Sequence, residues 1–264
     1  ALAAPLCKHS CCLRQPLGAE LFLAGVAAGW QGRPGPVFLE LPLDVQAAQV
    51  SDDWCHSPKL DTAGLMAVAA PEPALVSDLA ARIASAERPV LLLGGGLSRP
   101  MACQCEAQLT ALALPVMTTW NGADRYTADH ANYAGRPNTW GQRSSNVLLQ
   151  QADLVVAIGS RLGLQQTGFN WRQFVPVGEV VQVDIDPGEL AKANPGVHLA
   201  IQADANVLLP ALLQQPLGAH HAWLAYCQEV RRLLPVSEAC NHTPAGFLNP
   251  YDMVLELSGL CAPG

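Results

Sequence analysis

The chain has 264 residues, half of them apolar, which is enough to bury the core of an α/β domain with chain to spare. A formal net charge of −7, with only 15 Lys and Arg, supplies no basic stripe for a phosphate backbone and excludes nucleic acid as a partner. No apolar run reaches the roughly 18 residues of a membrane span, and the nine cysteines are odd in number and scattered, which reads as reduced thiols in a soluble, cytoplasmic protein.

The N-terminus, Ala1 to His9, has no initiating Met and no charged segment before a long apolar one, so it reads as an internal start of a partial sequence. Leu21 to Trp30 fits a helix, and Gly35 to Pro42 fits a strand closed by proline. One helix and one strand cannot bury a core, so this piece is expected to lean on sequence outside the chain. Asp52 to Ala70 has little periodicity and holds Pro58, as a linker would. Leu75, Leu79 and Ile83 then mark a helix that feeds the apolar run Val90 to Leu93, ended by Gly94-Gly95-Gly96. The same alternation returns at Leu114 to Thr118, Leu154 to Ile158, Val180 to Asp184 and Val197 to Ile201. Five apolar strands joined by crossovers imply a parallel sheet covered on both faces. Beyond Gln214, Trp223, Leu224, Cys227, Val230 and Leu234 mark a helix stopped by Pro235, and Asn249-Pro250 reads as a cap opening a last helix.

Taken together, Gly32 to Val45, Arg88 to Gly96, Ala152 to Arg161, Val180 to Pro187 and Gln202 to Ala205 form an ordered set. In this set the chain resembles thiamine-diphosphate-dependent enzymes of the acetolactate synthase type. The resemblance implies a three-layer, Rossmann-like (DHS-like) α/β central domain over 72–214. It further implies a C-terminal remnant of the pyrimidine-binding domain over 1–50, a linker over 51–71, and over 215–264 a linker with the start of the diphosphate-binding domain. The parent would decarboxylate a 2-oxo acid and join the product to a carbonyl, as a homodimer or homotetramer using thiamine diphosphate and Mg²⁺, with FAD as a further cofactor in some members. The family's activating glutamate would lie upstream of Ala1, and no Gly-Asp-Gly occurs in the chain, so the isolated chain is expected to be inactive. The Trp120 to Arg125 and Arg136 to Gln142 segments resemble a subgroup outside branched-chain amino-acid synthesis, so the acceptor stays open.

The candidate site residues lie at strand ends. Gly94, Gly95 and Gly96 would let a pyrophosphate approach the backbone beneath a helix N-terminus, or would simply form a tight turn. Asp186, before Pro187 and three residues ahead of Glu189, reads as a helix cap, which leaves Asp184 to accept hydrogen bonds from a ribose. The resemblance implies that Asp204 touches an adenine end; capping the next helix is the alternative. Gly159, Ser160 and Arg161 follow the third strand, so Arg161 should emerge at the sheet edge; the resemblance implies that it pairs with a flavin diphosphate, and a surface ion pair is the alternative. In flavin-binding relatives the loops holding Thr119 and Trp120, and Gly135 to Gly141 with Trp140, flank the cofactor; filling a domain boundary is the alternative for both tryptophans. The seven histidines show no triad partner, and His220-His221 reads as a solvated pair. A non-catalytic spacer organising an oligomer is the competing reading. An NAD-dependent deacylase would need a paired Cys-x-x-Cys module that the sequence does not contain.

Overall fold

The computed structural model describes residues 2–16, 18–50, 70–241 and 243–261. Of the expected linker over 51–71, all but the last two residues lie outside the described residues. The chain divides into two compact units, 1–69 and 70–264.

The first unit is a β-α-β element: β1 (His9–Cys12), α1 (Ala19–Ala27) and β2 (Val37–Glu40), followed by a single turn, α2 (Leu43–Gln46). The strands are parallel, with His9 opposite Val37 and Cys12 opposite Glu40. Expectation had supplied α1 and β2 but not β1, whose four residues carry no apolar alternation and include Cys11-Cys12. Pairing with β2 makes it a strand, which is tertiary information.

The second unit is built on six parallel strands in the order β5-β4-β3-β6-β7-β8. In chain order its elements are α3 (Pro73–Ser85), β3 (Pro89–Leu93), α4 (Arg99–Ala111), β4 (Val116–Thr118), β5 (Tyr133–Gly135), α5 (Arg143–Gln151) and β6 (Leu154–Ile158). There follow α6 (Leu164–Thr167), β7 (Glu179–Asp184), α7 (Pro187–Leu190), β8 (Leu199–Gln202), α8 (Ala205–Leu213), α9 (His221–Leu233) and α10 (Pro250–Leu260). Every residue of β3 and β6 is buried, because a parallel sheet is covered by helices on both faces.

Side-chain alternation sorts these strands into two cores. Leu91, Leu93, Val156, Ile158, Val181 and Val183 pack beneath Leu79 and Ile83 of α3, Leu109 of α4, and Leu208 and Leu212 of α8. On the other face, Val90, Leu92, Val155, Ala157 and Val180 meet Leu148 of α5 and Trp223, Cys227 and Val230 of α9. This is a three-layer α/β/α fold, as the strand pattern implied. Burial of α3 falls on Val76, Leu79, Ala80 and Ile83, one stripe of the helix. Ser98 caps α4 by accepting from the Met101 N–H, and Asn249 caps α10 by accepting from the Tyr251 N–H.

Three structural details depart from expectation. The strand β5 was read as loop: it is three residues long and ends in Gly135 at φ +97°, too short to show a period. The core does not stop at residue 214, since α9 packs on the sheet and the buried Trp223 donates its indole N–H to the Pro89 carbonyl at 3.1 Å. His220 is 8 % exposed rather than solvated, with its backbone N–H on the Ala113 carbonyl and its ring Nε2 3.1 Å from the Leu217 carbonyl. Among the described residues, no helix is long and apolar enough to cross a membrane.

Candidate functional site

From β3 the chain runs outward through β4 to β5, then returns to β6 beside β3 and runs outward again to β8. The crevice at the carboxyl ends of β3 and β6 is therefore the switch point at which open α/β sheets hold their ligands. All six strands are parallel, so the segments that follow them emerge along this one edge. The segments carry Gly94 to Gly96, Thr119 and Trp120, Gly135, Gly159 to Arg161, Asp184, and Asp204. Topology thus gathers every candidate residue on a single rim, although it gives them different work.

The glycines interlock. A Cβ on Gly94 would lie 2.2 Å from the Gly159 carbonyl oxygen, and Gly159 itself has φ +65°, a conformation that an L side chain strains to adopt. The Gly94 N–H donates to Ile158 O at 2.9 Å and the Gly96 N–H to Gly159 O at 2.8 Å, so the β3 and β6 turns bridge the crevice with backbone. Gly135 packs on the start of α5, since a Cβ there would lie 2.5 Å from Oε1 of Gln142, which precedes the helix, and 2.9 Å from Cβ of Ser145 within it. Thr119 is buried and donates its N–H to Leu93 O at 2.9 Å. The Thr118 hydroxyl before it, wholly buried, has no hydrogen-bond partner among the described residues.

Trp120 and Trp140 are 56 % and 65 % exposed and meet edge to face with ring centroids 6.2 Å apart. The two loops that carry them are tied down. Asp124 lies between Arg99 and Arg125, and the hydrogen bond from Arg99 holds its carboxyl below the usual range. Arg125 also donates to the Leu97 carbonyl, fastening the Trp120 loop to the start of α4. On the other side, the Trp140 N–H donates to Asn138 Oδ1 at 2.7 Å, and Gln166 Nε2 donates to Pro137 O at 2.6 Å. The tryptophans therefore stand on a fixed base while their faces meet solvent.

Ser160 is buried, its Oγ accepting from the Leu162 N–H at 3.3 Å and its carbonyl from Gln182 Nε2 at 3.0 Å. Arg161 leaves the sheet edge as expected, yet its guanidinium pairs with Glu189 at 2.5 Å, and Lys192 lies 2.7 Å from the other oxygen of that carboxylate. Asp184 and Asp186 are two residues apart, a spacing that shares one face of a continuing strand. Their division of labour arises because β7 ends at Asp184. Asp184, only 7 % exposed, accepts the Asp186 N–H at 2.9 Å, while Asp186 caps α7 through the Gly188 N–H at 2.8 Å. Asp204 caps α8 and accepts from the Asn206 side chain at 2.7 Å.

Asn206 escaped the sequence reading. Its Oδ1 accepts the Ser98 N–H at 2.7 Å and its Nδ2 donates to the Gly96 carbonyl at 3.2 Å, joining α8 to the glycine turn. Its signal was faint: an Asn two residues inside a capped helix. Gln182 had a clearer one, a single amide inside the apolar strand Val180 to Val183. Among the described residues, no group of three or more His, Cys, Asp or Glu side chains is placed to hold a metal ion.

A doubly wound parallel sheet with this strand order and interlocked glycine turns at its switch point defines a Rossmann-like α/β domain. The chain belongs to the thiamine pyrophosphate enzyme family: residues 76–212, just over half of it, match that family's central domain. It is 32 % identical over 236 residues to a probable acetolactate synthase large subunit of Methanocaldococcus jannaschii, an alignment covering 87 % of this chain and 40 % of that one. It is 34 % identical over 202 residues to the acetolactate synthase isozyme 2 large subunit of Escherichia coli, covering 76 % and 35 %. To the acetolactate synthase of Mycobacterium bovis it is 30 % identical over 271 residues, covering 98 % and 42 %. The chain thus spans about two fifths of the length of the relatives it matches.

Proposed function

We propose that this chain is the central portion of a thiamine-diphosphate-dependent enzyme that decarboxylates a 2-oxo acid and ligates the product to a carbonyl acceptor. The observation that carries the reading is the alignment of 98 % of the chain with an acetolactate synthase, extending on both sides of the central domain. In this reading residues 1–50 close the pyrimidine-binding domain, α9 completes the cover of the central sheet, and the chain beyond it leads into the diphosphate-binding domain. Thiamine diphosphate, when bound, supplies the electron sink for decarboxylation. Its glutamate partner and the Mg²⁺-holding Gly-Asp-Gly would come from parent sequence beyond this chain, whose own contribution is to fix the spacing of the domains around it. The parent works in the cytoplasm as a homodimer or homotetramer.

The test pairs a full-length parent with the 264-residue chain, each given pyruvate, thiamine diphosphate and Mg²⁺. Carbon dioxide release by the parent and none by the chain is the expected result. No turnover by the parent with any of a panel of 2-oxo acids, or turnover by the chain alone, would overturn the proposal.

A second reading, that the central domain is purely an organiser of the oligomer, is favoured by one observation. Gly96 is bonded to Gly159, Ser98 to Asn206 and Asp186 to Asp184, so much of the polar rim is engaged within the chain.

A further inference from the structure

In a doubly wound sheet, a dinucleotide is held because the glycine turn and the helix after it present unbonded N–H groups to the pyrophosphate. Here five of those donors are committed within the protein. Gly94 donates to Ile158 O, Gly96 to Gly159 O and Leu97 to Gly94 O, at 2.9, 2.8 and 3.2 Å. Ser98 donates to Asn206 Oδ1 at 2.7 Å. In the first turn of α4, Pro100 has no N–H and Met101 donates to the Ser98 hydroxyl at 3.3 Å. The Gly95 and Arg99 amides donate to no partner among the described residues, which leaves two donors where a cradle would need the whole turn.

The other expected anchors are likewise engaged. Asp184, the ribose candidate, is buried and accepts the Asp186 N–H. Arg161, the diphosphate candidate, is paired with Glu189. Gly94 and Gly159 continue the Leu93–Ile158 register of the paired strands, so the two turns leave the sheet in contact.

We infer that the Gly94–Ser98 turn is an internal clasp rather than a phosphate cradle, and that this domain does not hold FAD through its diphosphate. The glycines allow β3 and β6 to touch, and Asn206 ties α8 to the closed turn. For a diphosphate to enter, the Gly96–Gly159 and Ser98–Asn206 hydrogen bonds would have to open first, exchanging made bonds for new ones with no net gain in number. Trp120 and Trp140 remain as an exposed aromatic ledge. The inference concerns flavin alone and rests on the fold, so it survives or fails independently of the parent's thiamine chemistry.

Amide hydrogen exchange on the 264-residue chain, with and without FAD or ADP, tests it. The expected result is slow exchange at Gly96 and Ser98 in the free protein, unchanged by either nucleotide, with no saturable quenching of flavin fluorescence up to about 1 mM FAD. Asn206→Ala is expected to speed exchange at Ser98 at least tenfold while β3 and β6 amides stay protected, which separates loss of the clasp from unfolding. Fast exchange at Gly96 and Ser98 in the free protein, or protection of those amides gained on adding FAD or ADP, would overturn the inference. So would saturable FAD binding abolished by Gly95→Ala in a variant that keeps its β3 protection.

Discussion

The chain contains two parallel sheets that meet the same demand in different degrees. A parallel sheet needs cover on both faces. The β3–β8 sheet has it: α3, α4 and α8 close one side, α5 and α9 the other, and β3 and β6 are buried throughout. The β1–β2 pair is only partly covered within its own unit. Phe38 is 46 % exposed and Leu21 64 %, and an apolar hollow of about 590 Å³ is lined by His9, Cys11, Leu21, Phe22 and Leu39. The difference teaches where stability resides, and substitutions can break or sharpen it.

The largest effect is expected in the covered sheet. Ile158, fully buried in the central strand β6, loses its packing and leaves a cavity on Ile158→Ala, at about 2–5 kcal/mol. The buried Trp223 lies on the opposite face of the same sheet, so its fluorescence in urea reports the unfolding of this unit. A midpoint unchanged from the parent chain would mean the sheet is not the cooperative core.

Next comes the clasp. On Gly94→Ala the new methyl meets the Gly159 carbonyl, and overpacking of this kind costs about 1–3 kcal/mol. Both strands must shift to admit it, so lowered exchange protection in β3 and β6 together is the expected signature. An unperturbed β6 would mean the turns do not touch in solution.

The covered face also carries a pH signature. Burial pushes the Cys227 thiol from its ordinary 9.0 up to about 12. The folded-state value lies above the unfolded one, so the neutral thiol is favoured in the fold. Its contribution is complete below pH 9.0 and is lost as pH rises toward about 12, at roughly 1.4 kcal/mol per pH unit at most. Stability against denaturation, followed at Trp223, should fall from pH 8 to about pH 10.5, and Cys227→Ala should start less stable but lose less over that interval. Equal pH slopes in the two proteins would assign the alkaline loss to other groups.

How much of this could be read in advance depended on where the information resides. The long apolar strands and the caps at Asp186 and Asn249 are local patterns, and the helices and strands they mark formed at or near the expected residues. The three-residue β5 and the polar-looking β1 exist only through pairing with a neighbour. That the candidate residues share one edge was legible, because a parallel sheet must bring all its carboxyl ends together. Their partners were not: Asn206 reaches Ser98 across 108 residues and Glu189 reaches Arg161 across 28. An acidic or glycine residue at a strand tip looks alike whether it faces a ligand or another loop, and only the fold says which.

The smallest effect belongs to the sparsely covered sheet, and its smallness is the point. Phe38 alternates outward from β2, with Val37 and Leu39 turned inward. Its ring gains little from the fold of its own unit, and Phe38→Ser should alter the unfolding of that unit by no more than about 0.5 kcal/mol. The same substitution removes an apolar group from an exposed surface, and exposed apolar patches drive association. The 264-residue chain should therefore become more monodisperse in light scattering while circular dichroism hardly changes. In a full-length parent the proposed reading predicts the opposite order of effects: if further strands and helices cover β2 there, Phe38→Ser costs stability like a core substitution. A stability loss as large in the short chain as in the parent would mean that this unit completes its own core, and the contrast between the two sheets would disappear.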